Sequence, residues 1–449
     1  MSNAISQYKS KLRSPEEAVK IVESGDWVDY CAGANFPELL DKALAERRDE
    51  LVDVKVRGGL VSAPRIEIVE RDLEQKTFTY HSWHMYAYER KLADRGICHY
   101  IPVSLPHMPH YYRSGNITVD VAFIPVSVMD EKGYFGLGLS NAGNHAVLKA
   151  ARKVVFEVNE RYPELKGENG SHRVHVSEAD FIVEGAHSPL PTQRYAEPSP
   201  EEAVIAGRVV ELLEDGSVLA LGVGSVPFAV ASLLAESDLR DLACHTGTIS
   251  DAFLKMRKAG KLTNARKELH RGKSVWNLAS GSEELYEWIS EDVDMLPQPV
   301  DYVNDPATLS RMERVVSVNG GIEIDLYGQE NGESNGIRHL SGTGGQLGFL
   351  TGAFLSKGGK GFVCLPSVFT AKDGARKSAI VPLLKKGSVV TAPRAMMQYV
   401  ATEYGVANLA GLATWQRAEA LISLAHPDFR EELTSEAQAM GIWRRSNRR

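Results

Sequence analysis

Between residues 216 and 251 the sequence reads GSVLALGVGSVPFAVASLLAESDLRDLACHTGTISD, a run that few folds accept. Residues 217–221 are short and apolar, as a buried strand requires. Gly222-Val223-Gly224-Ser225-Val226-Pro227 then makes a tight loop, 228–236 a helix and 242–246 the next strand. This strand–loop–helix–strand unit builds parallel sheets covered by helices. A glycine loop at a helix N-terminus offers bare N–H groups and the positive end of the helix dipole, which suits a phosphate. Ligands of open α/β sheets bind beyond the carboxyl ends of the strands, where His245-Thr246-Gly247 closes the second strand. The loop alone does not decide the matter. Pro227 stands where a dinucleotide fingerprint has its third glycine, and no Gly-Lys-Ser/Thr follows. A turn that simply needs glycines is the open alternative.

The same alternation runs through the chain. Ser14-Pro15-Glu16-Glu17 opens a helix, with Ser at the cap, Pro at the first position and acids in the first turn. Strands are expected at 27–31, 52–57, 97–103, 119–129, 154–159 and 180–184, and helices at 38–47 and 140–153. A polar glycine-rich loop covers 167–171. The stretch PLPTQRYAEPSP, 189–200, holds four prolines and no apolar periodicity, which marks a linker. After it the helix–strand pattern restarts at 201–213. The expectation is two α/β domains, 1–195 and 196–449, with mixed, mostly parallel sheets and a cleft between them.

Charge and composition exclude some classes. A net charge of −7 argues against non-specific nucleic-acid binding, though a basic pocket for a small anion remains compatible with it. No apolar run approaches the ~20 residues of a membrane span, and the polar start MSNAISQYKSKLRSPEEA has no signal-peptide pattern. Cys31, Cys98, Cys244 and Cys364 lack metal-ligand spacing, and three of them sit in apolar runs as buried thiols do, which fits a reducing cytoplasm. His81 and His84 lie in the aromatic run TYHSWHMYAYER without a convincingly spaced third ligand, so no metal is expected. They read as core or rim residues. A second cluster, His107-Met-Pro109-His110-Tyr-Tyr112, reads as a pocket wall or an oligomer interface.

Glycines and polar groups concentrate again over 315–360, VVSVNGGIEIDLYGQENGESNGIRHLSGTGGQLGFLTGAFLSKGGK. Residues 322–326 alternate like a half-buried strand. Residues 328–334 put Glu330 and Glu333 on an expected loop. Ser341-Gly-Thr-Gly344-Gly345-Gln can converge N–H groups on an oxyanion, and Lys357 and Lys360 add cations near the same glycines. A flexible surface loop is the alternative.

These segments together resemble one family. LGVGSVP, HTG…SDAF, SVNGGIEIDLYGQENGES, SGTGGQLGF, LSKGGK, Ala401-Thr-Glu403-Tyr-Gly405 and TWQRAEALISLAHPDFRE are similar to the butyryl-CoA:acetate and 4-hydroxybutyrate CoA-transferases of the acetyl-CoA hydrolase/transferase group. The early SGDWVDY, SWHMYAYERK and closing IWRRSNR extend the likeness over essentially the whole chain. The resemblance implies two CoA-transferase-like domains, coenzyme A thioesters and a small carboxylate as substrates, and a ping-pong route through a glutamyl thioester. It implies that Gly222, Val223, Gly224, Ser225 and Val226 lie along the CoA with Asn319, Lys357 and Lys360, and that Gly344 or Gly345 helps form the oxyanion hole. It also implies a homo-oligomer, with neither nucleic acid nor membrane as partner. The family reads His-Thr-Glu where this chain reads His245-Thr246-Gly247, so its nucleophilic glutamate is missing. Glu330 stands where the family has an apolar residue, and Glu333 matches a family glutamate. Three readings follow: a transferase with Glu330 as relocated nucleophile, an acyl-CoA hydrolase, or an inactive CoA-binding homologue or partner subunit.

Overall fold

The computed structural model describes residues 3–31, 33–61, 65–166, 170–193, 196–371 and 373–442. Residues 167–169 of the loop expected at 167–171, the linker centre at 194–195 and most of the closing IWRRSNR fall outside them. The chain forms two compact units. The first comprises Met1–Gln193, Val275–Val303 and Leu340–Gly344; the second comprises Arg194–Ser274, Asn304–His339 and Gly345–Arg449. The chain thus returns to its first unit twice after leaving it.

The first unit is built on seven strands in the order His99–Tyr100, Phe78–Ser82, Val54–Gly58, Trp27–Asp29, Val121–Val126, Lys153–Val158 and Phe181–Glu184, all parallel. The strand Val121–Val126 is buried at every position. Val121 and Phe123 enter one apolar cluster with Leu40, Val56 and Ile68. Ala122, Ile124 and Val126 enter another with Phe135 and Phe156. Successive side chains point to opposite faces of a strand, so burial throughout means helices or loops cover both faces.

Strands of the second unit run in the order Ala243–Ile249, Val218–Leu221, Val315–Gly320, Lys360–Cys364 and Tyr399–Thr402, all parallel, with Gly405–Asn408 antiparallel at the end. The chain lays its second strand on one side of Val218–Leu221 and its third on the other. That reversal opens a crevice at the carboxyl end of Val218–Leu221, where α/β sheets bind ligands. The architecture is mixed α/β with mostly parallel sheets.

Local signals behave as their chemistry dictates. Ser14 caps the helix Pro15–Ala18 with a reciprocal bond to Glu17. The helix expected at 140–153 is shorter, Asn144–Ala150, because Ser140 and Asn141 are buried in the turn before it and Lys153 already belongs to the next strand. The strand expected at 97–103 is reduced to His99–Tyr100. All four cysteines are buried free thiols. His81 lies in a strand and packs its ring on Trp27 and His99 at 4.9 and 5.4 Å.

Candidate active site

The carboxyl edge of the second unit's parallel strands brings together most of the residues singled out above. Gly222 follows Val218–Leu221 and donates its N–H to the Val318 carbonyl at 2.9 Å. A Cβ there would lie 3.1 Å from that carbonyl and 3.5 Å from Asn319 Oδ1, so the loop lies tight against the end of Val315–Gly320. Gly224 has φ +153°, a conformation that favours glycine, and caps the helix Ser225–Glu236. Val223 stays 45% exposed on this loop, Val226 is buried, and the Ser225 hydroxyl donates to Glu202.

Gly247 lies within Ala243–Ile249 at an ordinary φ. A Cβ at this position would meet the Phe349 ring at 3.2 Å and Asn304 Oδ1 at 3.7 Å. The same Asn304 amide packs on Gly345, where a Cβ would fall 2.2 Å from its Nδ2, so a side chain at 345 would displace the Asn304 amide. Gly345 in turn caps the helix Gln346–Leu355. Asn304, which sequence reasoning missed, therefore joins Gly247 to Gly345. Gly344 belongs to the first unit, where its carbonyl accepts the Leu105 N–H at 3.0 Å.

Glu330 is not on a surface loop. It begins the short buried strand Glu330–Asn331 and is 0% exposed, and Glu333 is 2% exposed. The expectation of a loop fails because the segment satisfies itself internally. The Asn331 amide donates to Glu323 and to the Ser334 carbonyl at 3.0 and 2.7 Å, and its oxygen accepts the Ser334 N–H at 2.9 Å. Likewise, 322–326 forms a fully buried strand, Glu323–Asp325, not a half-buried one.

Gln346 Nε2 donates to Glu330 Oε2 at 3.0 Å. The other oxygen, Oε1, is buried without a hydrogen-bond partner among the described residues. It sits where Cβ atoms on Gly332 and Gly321 would come within 2.7 and 3.3 Å, so two glycines make room for it. Burial pushes the Glu330 carboxyl up to about 8; the Gln346 amide opposes the shift and neighbouring Glu333 adds to it. Thr391 Oγ1 donates to Glu333 at 2.9 Å and accepts the Gly332 N–H at 2.9 Å. Glu330 is thus one side chain away from Gly345, through Gln346, and Gly345 is one side chain away from Gly247, through Asn304. Gln346 and Phe349 lie in the quoted SGTGGQLGF run, but nothing in the sequence pointed to Asn304 or Thr391.

Two expected cations are not brought to this edge. Lys360 opens its strand opposite Val316, whereas Gly320 pairs with Cys364 at the far end, ~13 Å along the strand. Its ammonium pairs with Glu214 at 2.9 Å, and Lys357 pairs with Glu313 at 2.8 Å. Both belong to the amino edge of the sheet. Among the described residues no cluster of three or more His, Cys, Asp or Glu side chains could hold a metal ion, and no helix is long and apolar enough to cross a membrane.

Comparison with known proteins gives a consistent result. Residues 1–192 match the acetyl-CoA hydrolase/transferase N-terminal domain, and residues 281–437 match the C-terminal domain. The chain is 44% identical over 445 residues to a butyryl-CoA:acetate CoA-transferase of Anaerostipes caccae, covering 98% of this chain and 99% of the relative. It is 36% identical to a 4-hydroxybutyrate coenzyme A transferase of Clostridium kluyveri, covering 96% and 97%. RipA from Yersinia pestis superposes with a TM-score of 0.89 at 35% identity, covering 98% and 100%.

Proposed function

The chain belongs to the acetyl-CoA hydrolase/transferase family, and on that premise we propose that it moves CoA from a short-chain acyl-CoA, of the butyryl or 4-hydroxybutyryl kind, to a small carboxylate such as acetate. The near full-length 44% identity to a butyryl-CoA:acetate CoA-transferase carries this reading. Glu330 is the carboxyl we assign to the reaction. Ionised, it attacks the thioester carbonyl and expels the CoA thiolate, leaving an acyl–glutamyl anhydride. The thiolate then attacks the glutamyl carbonyl, releasing the acyl carboxylate and leaving CoA on Glu330 as a thioester. The acceptor carboxylate repeats the steps in reverse. Splitting one difficult transfer into two easier ones is what a carboxylate nucleophile contributes.

With its carboxyl up at about 8, Glu330 is about one-tenth ionised at neutral pH. Glu333 and Thr391 hold the Gly332 turn against it. The Gly344 or Gly345 N–H serves the developing oxyanion, and 222–226 with Asn319 lies along the CoA. We take the protein to act in the cytoplasm, where its four buried thiols stay reduced, and as a homo-oligomer. The raised Glu330 carboxyl also favours a second reading, since it makes a competent base for activating water in hydrolysis. One assay separates the two. Purified protein with butyryl-CoA and isotopically labelled acetate should yield labelled acetyl-CoA. Free CoA released at the same rate without acetate would establish hydrolysis instead.

A further inference from the structure

The backbone of Glu330 is fixed on both sides. Its N–H donates to the Ala392 carbonyl at 3.0 Å, and its carbonyl accepts the Thr391 and Ala392 N–H groups at 2.8 and 3.2 Å. The carboxyl is held more lightly. Among the described residues Gln346 is the one side chain bonded to it, Nε2 donating to Oε2 at 3.0 Å. The two carboxyl oxygens are therefore unlike. Oε2 is tied, whereas Oε1 has no hydrogen-bond partner among the described residues and faces two glycines. At Gly332 a Cβ would lie 2.7 Å from Oε1 and 3.3 Å from the Gln346 side-chain oxygen; at Gly321 it would lie 3.3 Å from Oε1. Neither glycine has the left-handed backbone that would call for one. What both supply is the absence of a side chain beside Oε1.

A carboxylate attacks with one oxygen, which must come within about 3–3.5 Å of the carbonyl carbon in line with its orbital. A glutamate carboxyl swings about three side-chain bonds, so a bond to one oxygen decides which oxygen is presented. The same bond favours the ionised, reactive form.

We propose that Gln346 is a positioning residue for the transfer: by holding Oε2 it presents Oε1 as the attacking atom, in the space that Gly332 and Gly321 leave open. The assignment rests on the CoA-transfer reading given above. In the ionised fraction Oε1 gives an electron pair to the thioester carbonyl carbon, the C–S bond breaks, and its pair leaves on the CoA sulfur. Two variants disturb the aim and spare the nucleophile. Gln346→Met keeps the length of the side chain and removes its N–H. Gly332→Ala adds a methyl against Oε1. Thr391 Oγ1 holds the Gly332 N–H at 2.9 Å, so the flexible end of Glu330 gives way before the turn does.

The test measures kcat and KM for butyryl-CoA with acetate from about pH 6 to 10, in wild type, Gln346→Met, Gly332→Ala and Glu330→Gln, with urea unfolding of each. Gln346→Met should move the midpoint of the kcat profile up by about one unit. It should also lower the high-pH plateau about tenfold with KM little changed. Gly332→Ala should lower the plateau about tenfold in a folded protein. A merely structural Gln346 would alter unfolding and leave midpoint and plateau in place. A second readout needs no turnover. With Met at 346 in both proteins, the pH at which Glu330→Gln stops gaining stability should rise about one unit above its value with Gln346 present. An unmoved midpoint and plateau in folded Gln346→Met, or full activity in Gly332→Ala, would overturn the assignment. No turnover by wild type, or Glu330→Gln as active as wild type, would overturn the transfer reading and this assignment with it. An inactive Glu330→Gln beside an unchanged Gln346→Met would strike the Gln346 assignment alone.

Discussion

Replacing Glu330 with Gln should stabilise the protein, and by an amount that grows with pH. The carboxyl is 0% exposed and its ordinary value of 4.5 rises to about 8 in the fold. A raised carboxyl means that the folded state keeps a proton the unfolded state releases. The stability tied to that proton is fully present below about pH 4.5 and is lost as pH rises through about 8. Each pH unit in that window is worth about 1.4 kcal/mol. The loss reaches about 3 kcal/mol at neutral pH and about 5 kcal/mol above pH 8, a large share of the roughly 5–15 kcal/mol that holds a typical domain together. Glutamine has the same shape, can still accept the Gln346 bond now made to Oε2, and does not titrate. Urea unfolding of both proteins between about pH 5 and pH 9 gives the difference directly. Asp41 and Glu157, whose carboxyls burial also pushes up to about 7, are common to both proteins and cancel. The expected difference climbs with pH and levels off above about 8. Parallel stability curves across the whole range would show that Glu330 is ionised or solvated in the fold, and would refute the reasoning.

Incubating the protein with butyryl-CoA and no acceptor, then trapping with borohydride, should modify Glu330 as read by mass spectrometry, and Glu330→Gln should abolish the modification. If Glu330 is the reacting carboxylate, kcat/KM for butyryl-CoA should rise about tenfold per unit up to about pH 8 and then level; a flat profile would remove Glu330 from the chemistry. Gly247→Glu should fold, because φ is ordinary and only the Phe349 ring, 3.2 Å from the new Cβ, must give way. It should raise butyryl-to-acetate transfer by about 10²-fold or more, and no gain in a folded variant would mean that the pocket has left the family mechanism. Gly224→Asp, at φ +153° in the loop before Ser225–Glu236, should weaken CoA binding by about tenfold in calorimetry; unchanged affinity would take the loop out of the site.

The alternation of strands and helices was legible because buried strands carry continuous apolar runs and the loops between them carry glycine, as at Val218–Leu221 and Gly222. Placing the site was harder, because nearness in sequence is not nearness across a sheet. Lys360 follows the glycines of 341–345, yet a helix intervenes and returns the chain to the opposite edge. The polar, glycine-rich 328–334 run looked solvated because no periodicity announces burial when side chains such as Asn331 satisfy the backbone themselves. Asn304 was invisible, since its role arises only where its own segment meets two distant ones, at Gly247 and at Gly345.

On the proposed reading, the pairing of Gly247 with Glu330 is an exchange and not two independent changes. Gly247 is not demanded by its backbone, whose φ any residue adopts, so a side chain there was free to exist. Glu330 is not demanded by packing either, since an apolar side chain would fill the space without titrating. It has one oxygen bonded to Gln346 and the other unpartnered between Gly321 and Gly332. A half-satisfied buried carboxyl costs the fold several kcal/mol at neutral pH. Both positions lie on the same strand edge, joined through Asn304, Gly345 and Gln346. Strongly shifted groups of this kind concentrate where chemistry uses them. On the transfer reading proposed above, the carboxyl absent at Gly247 is supplied by Glu330 on the other side of the Gly345–Gln346 corner, where burial favours its protonated form.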